Sequence, residues 1–248
     1  MNINKHHFNQ LASAKPIKER WTGRIPLNWF NSIKDNTKFK NEKNLHLSSK
    51  RLDREIIFNM VGDKKISTLS CCISILSWGG MKTPHGRSLF ETDHQWIKVA
   101  DELRCGNITR KTAYEKFALL RKENNLPGMG PAYFTKLIFF LPPKENRGYI
   151  MDQWTSASVN LIYSKPIVIT SIAKRGKDGH ALDETVSDNN SSENYDEFCK
   201  TVNEIAKKLG VEPEHAEEIM FSIGGRRPGD WRIHVIAERF RKYQETHA

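Results

Sequence analysis

The sequence predicts a mainly α-helical protein. Apolar residues recur at steps of three and four along most of the chain, strand-like runs are scarce, and Gly, Pro and short polar residues interrupt the pattern at helix-length intervals. No internal repeat of fixed period is present. The 248 residues suffice for one large domain or two closely packed lobes with a substantial core. Lys and Arg outnumber Asp and Glu by 39 to 29, a net charge of +10 that points to a polyanionic partner. Charge alone fits DNA, RNA or an anionic membrane surface. No apolar run approaches the length of a transmembrane helix, so a membrane is the weakest of the three.

The first residues, MNINKHHFNQLASAKPIKERW, have no apolar stretch after their charges, which predicts neither a secretory signal nor an anchor and hence a cytoplasmic location. Cys71, Cys72, Cys105 and Cys199 lack CxxC spacing, and no HExxH or paired Cys/His pattern occurs. The nine histidines therefore read as surface or core residues, and no metal or other cofactor is expected.

Residues 1–50 are polar and basic, with Trp21, Trp29 and Phe30 between the charges, and read as an irregular or short-helical N-terminal arm. Across 52–76 the apolar positions Ile56, Ile57, Met60 and Val61, then Ile66, Leu69, Ile73 and Leu76, give two helices broken at Gly62 and Asp63. SWGGMKTPHGR, 77–87, has the composition of a loop with binding chemistry. A helix over 92–104 buries Trp96, Val99, Ala100 and Leu103. The best strand signal is 167–172, a run that a buried helical turn would explain equally well. Residues 176–194 read as a polar loop, separating a helical core over 51–175 from C-terminal helices near 195–209, 213–222 and 229–244. The basic residues of the last helix, Arg232, Arg239, Arg241 and Lys242, read as a solvated face.

The most informative stretch is 109–141, TRKTAYEKFALLRKENNLPGMGPAYFTKLIFFL. Thr109 is placed to cap a helix whose buried stripe is Ala113, Phe117 and Leu120, ending near Lys122. LPGMG then makes a tight hairpin in which both glycines can take positive φ, and Pro131 opens a second helix that is apolar on almost every side. Unsatisfied N–H groups at such a helix start favour an anion, and the donors here are Gly128, Met129, Gly130 and Ala132. A DNA phosphate would suit them, although an ordinary helix-helix corner also uses glycine for geometry alone.

LPGMGP closely resembles the hairpin of the helix-hairpin-helix DNA glycosylase superfamily, and GYIMDQW places Asp152 where that superfamily carries an Asp after a short apolar run. The resemblance covers roughly 109–163 and lies nearest the 8-oxoguanine glycosylase-like branch. It implies two packed helical lobes around a cleft, and a monomer acting on double-stranded DNA that contains a modified base. Asp152 is then the catalytic carboxylate, stabilising a sugar with oxocarbenium character and accepting a proton from attacking water. Asp at this position also suits a helix cap, a role compatible with the first.

The flipped base needs aromatic and hydrogen-bonding partners, and the candidates are Trp78, Lys82, His85, Arg87, Gln153 and Trp154, with Tyr133 as a further ring. Bifunctional members carry a nucleophilic Lys where this chain has Ala132, which implies a monofunctional hydrolase that uses water. Lys136, one helical turn on, can project toward the same region as a second catalytic candidate. The iron–sulfur loop of some members is absent. Repair of damaged bases and defence against foreign DNA with hypermodified bases both fit. The alternatives are a helix-hairpin-helix DNA-binding protein without catalysis, and an RNA-binding protein with no recognisable module behind it.

Overall fold

The computed structural model describes residues 2–14, 21–36, 39, 42, 44–92, 94–175, 181–224 and 227–247. In chain order the helices are α1 (Lys5–Ser13), α2 (Pro26–Asn31), α3 (Arg54–Gly62), α4 (Thr68–Trp78), α5 (Thr83–Glu91), α6 (Gln95–Arg104), α7 (Arg110–Lys122), α8 (Pro131–Phe140) and α9 (Gln153–Tyr163), followed by α10 (Ser192–Leu209), α11 (Pro213–Phe221) and α12 (Asp230–His247). Two 3-10 turns, Lys34–Asn36 and Lys144–Asn146, and two antiparallel strand pairs complete the described structure: β1 (Thr170–Arg175) with β2 (Ala181–Val186), and the two-residue β3 (Ile223–Gly224) with β4 (Arg227–Pro228). The protein is mainly helical, as its periodicity predicts.

The chain forms two compact units, a continuous one of Trp21–Ile150 and a split one joining Met1–Arg20 to Met151–Ala248. In the continuous unit α4 is the centre, buried along its whole length from Leu69 to Trp78 and packed by α2, α3, α6 and α8. Around it Phe90, Trp96, Phe117, Phe134, Phe139 and Phe140 are almost fully buried. Burial of this order contributes about 1.5–3 kcal/mol per large side chain. The split unit is built on α9, which meets α1, α10, α11, α12 and β2. Trp231 Nε1 donates to Ser158 Oγ at 2.7 Å, and that hydroxyl in turn bonds the Trp154 carbonyl. The backbone N–H of Asn4 donates to the Ile162 carbonyl at 2.7 Å, while its side chain caps α1 by accepting from His7 N.

Three sequence expectations differ from this architecture. The segment 77–87 is not one loop: α5 begins at Thr83 with Pro84 in its first turn, where a missing N–H costs nothing. Of the polar segment 176–194, residues 176–180 lie outside the described residues, and the rest contains β2 and the start of α10. Ser191 and Asn194 form a reciprocal capping box there, so short polar residues that look like loop open a helix. The boundaries expected at 50 and 175 do not coincide with the units, because α1 packs on α9 and α12 while Trp29 and Phe30 pack around Phe90. The strand signal at 167–172 resolves as β1, which starts at Thr170 and pairs with Val186.

Candidate active site

In the continuous unit, α7 starts at Thr109, whose side chain accepts from Thr112 N at 3.2 Å. The helix ends at Lys122, and Asn124 takes a left-handed φ of 59° as the chain turns. Of the two hairpin glycines only Gly128 has positive φ, 73°. Gly130, expected to share that freedom, is extended at φ −79°, ψ −176° and serves as the N-cap of α8 without a side chain to fill its amides. A Cβ on Gly128 would stand 2.6 Å from the His85 carbonyl oxygen, so this glycine lets the turn lie directly on the α5 backbone. The amides of Gly128, Met129, Gly130 and Ala132 donate to no acceptor among the described residues. Met129 is buried, and the other three are half-buried.

Around this turn the structure gathers several of the expected residues. Tyr133 meets His85 edge-on at 6.3 Å. Its hydroxyl hydrogen-bonds the Lys82 backbone, and burial pushes its pKa up from the usual phenol value. Lys82, His85 and Arg87 are exposed along the start of α5, Arg87 reaching the Ser32 carbonyl at 3.2 Å. Lys136 is 7% exposed: its amine donates to the Ala132 carbonyl and lies 5.3 Å from the Tyr133 ring centroid, and its stem runs over Gly79. Trp78 is placed differently. Its ring is in the core, 5.0 Å from Phe140 and under the Arg54 guanidinium, because α4 is buried on every side.

In the split unit, Asp152 is the N-cap of α9 and 8% exposed. Its Oδ1 accepts from Trp154 N at 2.8 Å and Thr155 N at 3.0 Å, and the Thr155 hydroxyl accepts from Asp152 N in return. Every hydrogen bond that the described residues make to this carboxylate falls on Oδ1. The cap expected from sequence thus uses one oxygen and leaves Oδ2 for other work. Gln153 and Trp154 follow, both half-buried, and the Gln153 Oε1 is buried with no hydrogen-bond partner among the described residues.

Sequence reasoning missed what surrounds this carboxylate. Arg232 and Arg239, read as part of a solvated face, place their guanidinium carbons 4.2 and 5.0 Å from the centroid of Trp154. Arg239 also donates to the Gln153 carbonyl at 3.3 Å and pairs with Glu184 of β2 at 3.0 Å. Burial pushes the Arg232 guanidinium down to about 10, an effect that the Asp152 carboxylate opposes and Arg239 reinforces. The available signal was their seven-residue spacing, two helical turns, which puts both on one side of α12 with the buried Val235 between them.

A mainly helical chain with an LPGxG turn leading into a buried helix is the architecture of the helix-hairpin-helix glycosylase class. More particularly, the profile of the family described as "Putative 8-oxoguanine DNA glycosylase OGG-like protein" matches residues 14–221, and the chain belongs to that family. Membership implies DNA as the substrate. Neither a search of curated proteins nor one of solved structures returns a match.

Proposed function

We propose that this protein is a monofunctional DNA glycosylase that hydrolyses the bond between a modified base and its deoxyribose, with the nucleotide flipped out of duplex DNA. The observation that carries the reading is the one-sided engagement of Asp152. Oδ1 is anchored by two backbone amides, which fixes the carboxylate in place, while Oδ2 accepts no hydrogen bond from the described residues. As the glycosidic bond breaks, C1′ gains positive charge that this oxygen stabilises, and water attacking C1′ gives its proton to the same oxygen. The four open amides of the hairpin suit a DNA phosphate, and Lys82, His85 and Arg87 add positive or donor groups on α5. Gln153 and Trp154 supply an acceptor and a ring next to the carboxylate for the extruded base. Repair of damaged bases and removal of hypermodified bases from foreign DNA remain two settings for one chemistry.

A screen of duplexes carrying oxidised, alkylated and hypermodified bases tests the reading. Mass spectrometry should find a liberated base from at least one duplex, and the strand should stay intact until alkali is added. Release from none of them, with tight duplex binding, would leave a DNA-binding protein without catalysis. A second reading, in which Lys136 attacks C1′ and forms a Schiff base, has one observation in its favour: among the described residues it is the lysine carried into the core. Borohydride trapping of a protein–DNA adduct that is lost in Lys136→Met would establish that reading, whereas Ala132 at the usual nucleophile position supports the hydrolytic one.

A further inference from the structure

His6 and His7 on α1 meet His234 on α12 inside the split unit. One nitrogen of each ring lies within 4.8 Å of the other two, and His7 Nδ1 is 3.1 Å from His234 Nε2. The ring centroids stand 5.1, 5.8 and 5.3 Å apart. A tetrahedral zinc with Zn–N bonds of about 2.0–2.1 Å requires ligand nitrogens about 3.3 Å apart and ring centroids roughly 5 Å apart. The ring centroids and the His7–His234 nitrogen pair have those dimensions, and the remaining nitrogen separations, up to 4.8 Å, close if the exposed His6 swings inward.

The triad sits on a prepared frame. Asn4 ties the start of α1 to the end of α9, and Trp231 packs against His234 at 5.3 Å. His7 is buried and His234 half-buried, so two of the three imidazoles are held in place by the packing of the unit. One N–H···N bond between His7 and His234 accounts for a single contact of the three, and does not explain why His6 closes the triangle.

We propose that His6, His7 and His234 bind one divalent transition-metal ion, zinc by preference, which ties the N-terminal helix to the C-terminal helix. Three imidazoles with a fourth position left to water make a borderline-soft, nitrogen-rich site that suits zinc over magnesium or calcium. Glu238, one turn beyond His234, is paired with Arg241 at 2.8 Å, so its carboxylate is balanced by a guanidinium and the site rests on the three imidazoles.

The test uses the full chain without an affinity tag. After equilibration with zinc chloride and desalting, elemental analysis should find one zinc per chain, and zinc should raise the melting temperature. Cobalt loading should give the intense visible bands of a four-coordinate ion. His6→Ala removes an exposed ligand without touching the core and should weaken zinc binding by roughly tenfold or more. His234→Gln should do the same and abolish the cobalt bands. Absence of bound zinc in the wild type, undiminished affinity in His6→Ala, or only the weak bands of six-coordinate cobalt would each overturn the proposal. Circular dichroism of the apo variants separates lost ligation from lost folding.

Discussion

Two helix starts, those of α8 and α9, lie about twenty residues apart in sequence and solve the same problem in opposite ways. At α8 the N-cap is Gly130, with no side chain to offer, and four amides of the turn find no acceptor among the described residues. At α9 the N-cap is Asp152, whose Oδ1 fills two amides at once and whose partner Thr155 returns a bond to the cap. In the proposed function the first end receives a foreign anion. The second brings its own anion, and the amides that bind it also position it. Opposite functions follow from whether a helix start is left empty or capped.

The largest effect is expected where the cap itself is removed. Asp152→Ala should lower single-turnover base release by at least about a thousandfold and destabilise the fold by about 1 kcal/mol. Next comes the empty end: Gly128→Ala places a Cβ against the His85 carbonyl at a φ of 73°. The combined strain should cost about 2–4 kcal/mol in urea unfolding, whereas Gly130→Ala, at an ordinary extended φ, should cost far less. A smaller effect is expected around the capped end. Arg232→Met removes a guanidinium stacked on Trp154 and should lower stability by about 1 kcal/mol, which Arg232→Lys restores only in part. The smallest concerns the empty end's surroundings. Lys82→Gln should weaken duplex binding a few-fold for every sequence alike and reduce the slope of log K against log salt by about 1.

The two ends also differ in how far the sequence revealed them. Thr109, the hairpin, Pro131 and the capping of α9 by Asp152 are local features, set by residues within a turn of one another, and periodicity with cap chemistry exposes them. Helices α3, α4, α6 and α7 follow from the same local signal. What stayed hidden needs contacts across the chain. Arg232 and Arg239 reach Trp154 from 78 and 85 positions away, and His234 reaches His7 from 227. On α12 alone these side chains look like a solvated face, since a helix's polar stripe does not say what packs against it. Trp78 erred in the other direction: beside two glycines it looked like a stacking surface, but α4 is enclosed on all sides and its ring went into the core. At α5 the composition of a loop concealed a proline-started helix.

Asp152→Ala removes charge and cap together, so it cannot say which one matters. Asp152→Asn can, because Asn keeps an Oδ1 that accepts from Trp154 N and Thr155 N while losing the negative charge. The decisive measurement is single-turnover release of the base, beside binding of the same duplex, for wild type and Asp152→Asn at equal folding stability. Loss of release by at least roughly a hundredfold with affinity within a few-fold is the expected result; release that survives the substitution would show that Asp152 only caps its helix and that the chemistry lies elsewhere.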